Sequence, residues 1–227
     1  MATLEDDEAD IDPVKMILPD EEGEPEKLTT VGDGAASQQV EQHYIRSIES
    51  TVVIRQLPSE GLSFQLWPAA TTLLGSGTGL VGIAAAVTLG ANVTVTDLPH
   101  VIPNLKFNAD ANADVVTKRG GTVDVAPLRW GEDDDLEVIG REFDLVLGSD
   151  VVYHDHLFEP LIKTLRLLLN GGTKNRVFVM AHLRRWKKDS VFFKKAKKLF
   201  DVEILHTDPP KEGSRIGVVV YVFIGKI

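Results

Sequence analysis

Residues 73–97, LLGSGTGLVGIAAAVTLGANVTVTD, decide the fold class of this 227-residue chain. An apolar strand ends here at three alternating glycines, Gly75, Gly77 and Gly79. Because glycine has no Cβ, such a turn can adopt positive φ and let a ligand approach the backbone closely. The apolar, alanine-rich residues 80–89 then predict a helix of about three turns that ends at Gly90.

A second strand follows that helix and ends on an acid. Residues 93–96, VTVT, alternate as in a strand and place Asp97 at its C-terminal edge. A strand, a glycine turn, a helix and a carboxylate about twenty residues further on predict the first half of a nucleotide-binding α/β fold. Residues 77–82 match G-x-G-x-x-G, and Asp97 would suit the ribose of NAD or of S-adenosylmethionine equally well. Such a turn also arises where a helix simply packs tightly on a strand.

Composition excludes several classes of protein. The absence of cysteine leaves no disulfide framework and no thiolate metal site, and is compatible with a reducing compartment. The N-terminus has no secretory signal, and no apolar run approaches the about 18 residues of a membrane span. Residues 1–27 carry −9 of the net charge of −10, so the other 200 residues are nearly neutral. Their charge therefore does not indicate a nucleic-acid partner. We expect a cytoplasmic or nuclear protein that needs neither a membrane nor nucleic acid.

The chain divides into three predicted parts. Residues 1–27 combine acids, prolines and glycine with few large apolar residues, which predicts a disordered acidic tail. Residues 28–62 are an N-terminal extension, in which strands at 44–48 and 52–57 predict a β-hairpin. Residues 63–227 form the main domain.

Strands and helices alternate through the main domain. After Asp97 the pattern predicts a helix to about Ala113, and residues 132–137 read as a solvated acidic loop. Further strands are predicted at 122–125, 143–148 and 176–181, helices from Asp155 and over 186–200, and two last strands at 201–205 and 216–224. No helix fits between the last two strands, so the final one should be antiparallel. The sequence predicts a Rossmann-like, doubly wound seven-stranded sheet with an antiparallel C-terminal strand.

Several motifs carry a family resemblance. They are LWPAA at 66–70, GSGTG at 75–79, Asp97, LRWG at 128–131 and GSDVVY at 148–153. With this topology, the chain resembles the class I, seven-β-strand S-adenosylmethionine-dependent methyltransferases, and more narrowly the protein-lysine methyltransferases of lysine methyltransferase family 16. The specific motifs cover about residues 64–153, and the C-terminal third supports them only by its pattern.

The resemblance implies a cofactor, an acceptor and a set of site residues. The cofactor would be S-adenosylmethionine, with the glycine turn facing its methionyl part, Asp97 on the ribose and Trp130 against the adenine. The full set of implied cofactor residues is Trp67, Gly75, Ser76, Gly77, Gly79, Asp97, Trp130 and Ser149. Asp150 and Tyr153 would border the lysine of a protein substrate, and the enzyme is expected to act as a monomer.

The chemistry of methyl transfer is consistent with those residues. S-adenosylmethionine has no phosphate, so its turn needs none of the Lys or Ser/Thr that completes a P-loop, and none follows here. The acceptor lysine must be neutral, although its free pKa is about 10.4. An ionised Asp150 would raise that pKa, so we assign this carboxylate to orientation of the amine rather than to proton abstraction. His154, Asp155 and His156 have no evident fourth ligand, so no metal is predicted.

One departure from the family lies between Ala70 and Gly75. The resemblance implies a helix and a full first strand here, but only four residues separate the two positions. The first-strand region therefore reads as shortened, as if a segment were absent. Two alternatives to an active enzyme follow. A catalytically weak or inactive binding module of the same fold would explain the shortening, and an NAD-dependent oxidoreductase would fit G-x-G-x-x-G alone.

Overall fold

Strands and helices alternate along the chain after an N-terminal hairpin. The structure is a computed structural model; it describes residues 38–45, 49–66, 78–140, 143–169, 176–184, 186–210 and 217–226. The strands are β1 Gln39–Ile45, β2 Ser50–Gln56, β3 Asn92–Asp97, β4 Thr122–Pro127, β5 Leu145–Ser149, β6 Val177–Leu183, β7 Phe200–Thr207 and β8 Val218–Gly225. The helices are α1 Leu80–Leu89, α2 Ile102–Ala111, α3 Ala113–Lys118, α4 Asp133–Ile139, α5 Phe158–Leu169 and α6 Asp189–Ala196.

The strand order confirms the predicted fold class. Strand β3 pairs parallel with β4, and β5 pairs parallel with β6. Strand β8 lies between β6 and β7 and runs antiparallel to both, as predicted for the C-terminal strand. Strands β1 and β2 form the predicted antiparallel hairpin, but β1 covers Gln39–Ile45 rather than the predicted residues 44–48, and β2 begins at Ser50, inside the predicted turn. Six strands of the main domain are thus described, and the predicted first strand, with its shortening, lies outside the described residues.

Helix α1 packs closely on β3 because two glycines permit it. Gly79, which precedes the helix, has a φ of 90°, a value that favours glycine. Gly82 lies over the strand, and a Cβ at that position would overlap the Cγ2 atom of Val95 and come within 3.2 Å of Val93 Cγ1. The last glycine of the G-x-G-x-x-G motif, Gly82, therefore allows the helix to pack closely on the strand, as the third glycine does in dinucleotide-binding folds.

The hairpin packs on the main domain and is fastened by three asparagines. Ile45, Val52 and Ile54 share an apolar cluster with residues of α1. Asn104, Asn108 and Asn112, which we call the amide cluster, lie four residues apart on one side of α2 and at its end. Their side chains bind the backbone N–H and C=O groups of Val53 and Arg55, and the Arg55 Nε, at 2.7–3.4 Å. The predicted boundary at residue 62 thus separates two segments that share a core.

A phenylalanine-rich core lies under the C-terminal half of the sheet. Phe178 on β6 and Phe223 on β8 are buried against α5 and α6, and their ring centroids are 5.3 Å apart. Phe192 of α6 adds an edge-on contact to Phe223 at 6.3 Å. This packing fixes α6 against the strand that carries His182, a residue of the site described below.

Three local predictions in the main domain were also wrong. The acidic segment 132–137 is not a loop but includes the start of α4, because acids favour a helix N-terminus and Leu136 is buried on its inner side. The helix predicted to reach Ala113 ends at Ala111, and a separate helix, α3, follows. The helix predicted over 186–200 is confined to Asp189–Ala196, and Phe200 begins β7 instead.

Candidate active site

Three predicted site residues follow the carboxyl ends of parallel strands. Asp97 ends β3, Ser149 ends β5, and Trp130 lies three residues beyond the end of β4. Tyr153 joins these positions, since its ring is 6.5 Å from that of Trp130 and its phenol is close enough to Asp97 for a charge interaction. Ligands of open α/β sheets bind at this edge. The structure therefore brings Asp97, Trp130 and Tyr153 together.

The Asp97 carboxyl group is poised to accept hydrogen bonds. Burial raises its pKa to about 6, although the Leu98 backbone N–H, His100 and the Ser63 hydroxyl each lower it. The Leu98 N–H donates to Oδ1 at 2.7 Å. Because the pKa remains below 7, the group is mostly ionised at neutral pH, and a half-buried carboxylate gains from further donors such as ribose hydroxyls.

Trp130 and Tyr153 form an aromatic wall beside that carboxylate. Their rings meet edge to face at an interplanar angle of 64°. Burial raises the pKa of the Tyr153 phenol, and the nearby Asp97 raises it further. Tyr153 is therefore a neutral hydrogen-bonding group at physiological pH, and its phenol is no candidate for a general base. Aromatic faces of this kind suit an adenine ring or a cationic sulfur.

Two buried hydroxyl groups near this edge have no hydrogen-bond partner among the described residues. They are Ser149 Oγ at the end of β5 and Thr78 Oγ1 just before α1. Most buried polar atoms are hydrogen-bonded, so these two unpartnered hydroxyls stand out among the described residues. The backbone carbonyl of Thr78 is already used, because Asn108 Nδ2 donates to it at 2.8 Å. The amide cluster thus also supports the residue next to the glycine turn.

The Asp150 carboxylate is buried rather than presented to an acceptor. Its side chain is 2% exposed, its Oδ1 accepts the Leu183 N–H at 2.9 Å, and it lies 3.7 Å from His182 Nδ1. The Asp150 N–H in turn donates to the Ala181 carbonyl at 2.9 Å. The residue has a φ of 51°, in the left-handed region. These contacts attach the start of the 150–153 motif to the end of β6.

Some predicted site residues lie outside the described residues, and some residues near the site were not predicted from the sequence. Trp67, Gly75, Ser76 and Gly77 lie outside the described residues, whereas Gly79 directly precedes α1. Ser63, Thr78, His100 and His182 were not predicted from the sequence. His182 carried a usable signal, because it is a polar residue inside the apolar strand VFVMAHL. Within the described ranges, no helix could cross a membrane and no three His, Asp or Glu side chains could hold a metal.

Comparison with known proteins decides the family. A family model described as lysine methyltransferase matches residues 71–199, more than half of the chain. This chain belongs to the lysine methyltransferase family. The match covers Asp97, Trp130 and Tyr153, the predicted site residues that the structure brings together. It also contradicts the hypothesis of an NAD-dependent oxidoreductase.

Curated relatives match over part of their length. The chain is 39% identical over 139 residues to protein N-lysine methyltransferase METTL21A of Danio rerio, covering 61% of this chain and 61% of that protein. It is 38% identical over 122 residues to EEF1A lysine methyltransferase 3 of Mus musculus, covering 54% of this chain and 49% of that protein. The chain therefore spans about half to three fifths of the length of these relatives.

A solved structure supports the fold. The crystal structure of a predicted O-methyltransferase from Agrobacterium tumefaciens aligns with a TM-score of 0.51, covering 68% of this chain and 72% of that chain. The sequence identity is only 18%, so this likeness concerns the fold alone. It agrees with the doubly wound sheet and its antiparallel C-terminal strand.

The described residues fit S-adenosylmethionine chemically. Asp97 offers an ionised carboxylate for ribose hydroxyls, and Trp130 and Tyr153 offer aromatic faces. Ser149 Oγ and Thr78 Oγ1 are buried and unpartnered within the described part of the chain. No phosphate-binding lysine follows the glycine turn, which agrees with a cofactor that lacks phosphate.

Proposed function

We propose that this protein is an S-adenosylmethionine-dependent methyltransferase that methylates lysine side chains of a protein substrate. The observation that carries the proposal is the convergence of Asp97, Trp130 and Tyr153 at one sheet edge in a member of the lysine methyltransferase family. The names of the relatives support a protein lysine as acceptor. We also propose that it acts as a monomer, in the cytoplasm or nucleus, without nucleic acid or a membrane.

Asp97, Trp130 and Ser149 would hold the cofactor. Asp97 would accept hydrogen bonds from the ribose, Trp130 would cover the adenine, and Ser149 Oγ would donate to the cofactor from the end of β5. Trp67, Gly75, Ser76, Gly77 and Gly79 complete the proposed set on the strength of the family resemblance. When bound, S-adenosylmethionine would supply a methyl group activated by a cationic sulfur.

Tyr153 would position the acceptor amine. Its neutral phenol can accept a hydrogen bond from a lysine amine or donate one to it. The Asp150 carboxylate is 2% exposed and already bound to Leu183, so it contributes by holding the motif rather than by touching the amine. Neither group takes the lysine proton. The proton leaves to water, and partial desolvation of the amine favours its neutral form.

Binding and transfer can be measured separately. Titration calorimetry of the full chain should detect S-adenosylmethionine binding and much weaker NAD binding. Asp97→Ala should cost about 1–3 kcal/mol of cofactor affinity, because charge-assisted hydrogen bonds to hydroxyls are lost. His206→Gln, at an exposed histidine on β7, serves as a control that should bind the cofactor normally.

Methyl transfer is tested by incubating cell extract with labelled cofactor and identifying modified peptides. We expect label on lysine, and we expect Tyr153→Phe to lower kcat by more than it weakens cofactor binding. Tighter binding of NAD than of S-adenosylmethionine would refute the cofactor. Cofactor binding without any transfer would instead favour the inactive binding module, and label on small molecules alone would refute the acceptor class.

A further inference from the structure

A buried histidine lies between two carboxylates next to the proposed acceptor motif. His182 Nδ1 is 3.7 Å from Asp150 Oδ1, and His182 Nε2 is 3.3 Å from Asp189 Oδ2. The three side chains, which we call the charged cluster, are each at most 2% exposed. Asp150 follows β5, His182 lies on β6 and Asp189 begins α6, so the charged cluster connects three elements.

The contacts are close charge contacts rather than aligned hydrogen bonds. Neither His182 nitrogen has a hydrogen-bond partner in the described part of the chain, and the same holds for Asp189 Oδ1. Two carboxylates buried beside a neutral imidazole would be held together against their mutual repulsion. Burial of uncompensated charge is costly, so a positive charge on His182 is the state that this geometry favours.

The groups that face His182 from each neighbouring element support the same protonation state. The loop after β5 presents Asp150 and α6 presents Asp189. Phe193, also on α6, places its ring 5.7 Å away. On β8 the register partner is the apolar Val219, and Tyr221 lies two residues further on. Burial by itself lowers the pKa of His182, but Asp150 and Asp189 together more than offset this and raise it.

The charged cluster acts on a strained part of the proposed site. Asp150 has a φ of 51°, a conformation that costs a non-glycine residue free energy and persists only when its surroundings hold it. Its N–H and its Oδ1 are bound to Ala181 and Leu183, the residues on either side of His182. Tyr153 follows three residues later. Any change in the Asp150 carboxylate is therefore transmitted to the backbone that carries Tyr153.

We propose that His182 is a positioning residue, which as an imidazolium holds Asp150 and Asp189 together and thereby fixes the 150–153 motif against β6 and α6. Its effect on the acceptor lysine rests on the proposed function, whereas its charge state and its effect on Tyr153 do not. The role is indirect, since the His182 side chain is 1% exposed and acts through Asp150.

The charge state is tested by NMR of the full chain labelled at histidine ring nitrogens. The chain has six histidines, and the His182 signals are identified by their loss in His182→Gln. We expect His182 to titrate above the ordinary value of about 6.5, and Asp189→Asn to lower that midpoint. A midpoint at or below the ordinary value, or one that Asp189→Asn leaves unchanged, would overturn the proposal.

The positioning role is tested through the tyrosines. The chain has only three, Tyr44, Tyr153 and Tyr221, so ring-labelled spectra are simple to assign. His182→Gln and Asp189→Asn should each shift or broaden the Tyr153 signals and leave Tyr44, on the hairpin, unchanged. His206→Gln is the matched control, because it removes an exposed histidine 2.8 Å from Asp208 and should leave Tyr153 unchanged. Unaltered Tyr153 signals in both cluster variants would refute the role.

Kinetics separate this role from general destabilisation. With methyl transfer established, Asp189→Asn should lower kcat/KM for the acceptor by about tenfold or more and change cofactor affinity by less than about twofold. Equal losses in both parameters would mean that the charged cluster only stabilises the fold. If the wild-type chain binds no S-adenosylmethionine, the proposed function fails, and the two NMR measurements still decide the role of His182.

Discussion

The amide cluster on α2 and the charged cluster at the end of β6 bury similar numbers of polar side chains. In the amide cluster, every side-chain oxygen and nitrogen of the three asparagines makes a hydrogen bond to a backbone group or to the Arg55 side chain. In the charged cluster, both nitrogens of His182 have close carboxylate neighbours but no aligned hydrogen bond within the described residues. One network is neutral and satisfied, and the other is charged and only partly satisfied.

The difference matches the positions of the two networks. The amide cluster fastens the hairpin to the main domain, and because amides do not titrate this attachment should not change with pH. The charged cluster lies beside the proposed acceptor site, where perturbed titratable groups are typical of function. A buried titratable group without aligned hydrogen bonds is therefore better evidence of a site than a fully hydrogen-bonded neutral network.

The largest expected effect comes from breaking the amide cluster. Asn108→Ala removes the partner of the Arg55 N–H and of the Thr78 carbonyl, and the shorter of two donors to the Arg55 carbonyl. Because each unsatisfied buried group costs about 1–3 kcal/mol, we expect the free energy of unfolding to fall by about 3 kcal/mol. Chemical denaturation at pH 5, 7 and 8 measures it, and the loss should be the same at each pH.

The matched control for that experiment is an exposed amide. Asn92 accepts a hydrogen bond from the Thr122 hydroxyl at 2.9 Å in an exposed position. Asn92→Ala should change the free energy of unfolding by less than about 0.5 kcal/mol. A similar loss in both variants, or a loss at Asn108 that depends on pH, would contradict the distinction between the two clusters.

Asp97 extends the comparison to a single carboxylate. Its folded pKa of about 6 lies above the ordinary value, so the folded state binds the proton more tightly than the unfolded state. The contribution of Asp97 to stability should therefore fall as pH rises from about 4 to 6 and stay level above that range. Asp97→Asn should abolish this fall and stabilise the cofactor-free protein at pH 7 by about 1–2 kcal/mol, while weakening cofactor binding.

Thermal unfolding from pH 4 to 8 checks that expectation. Asp110→Asn, at an exposed carboxylate on α2, is the control and should leave the profile of the wild type unchanged. A variant at Asp97 that is less stable than the wild type at pH 7 would show that the ionised carboxylate is well compensated in the free protein. The proposed preference of this site for additional hydrogen-bond donors would then lose its physical basis.

Local patterns were sufficient to predict most of the fold. Helix α1 has the predicted bounds, because an apolar run of ten residues between two glycines leaves little alternative. The reversed strand β8 followed from the lack of room for a crossover. The acidic start of α4 was misread, since the same carboxylates that suit solvent also suit a helix N-terminus.

Long-range contacts are what the sequence could not supply. The asparagines of the amide cluster bind backbone groups 49–59 residues away, and no local pattern names such partners. Asp150 was expected to border the acceptor because the family resemblance implied it. It is buried because His182, on a different strand, lies within 3.7 Å of its carboxylate. The spacing of the asparagines and the polar residue inside β6 were the available signals.

The smallest expected effect is a change in how stability depends on pH, which distinguishes the charged cluster from the amide cluster and from Asp97. The pKa of His182 is raised in the folded state, so its stabilising contribution is complete below the ordinary value of about 6.5 and is lost as pH rises through the folded pKa. Wild-type stability should decline in this window, which lies above the window of Asp97, and His182→Gln should lack the decline. Denaturation between pH 6 and 9 measures it, with His206→Gln as the control that keeps the wild-type slope. A decline of equal size in His182→Gln would assign it to other groups and would leave the charged cluster as insensitive to pH as the asparagines.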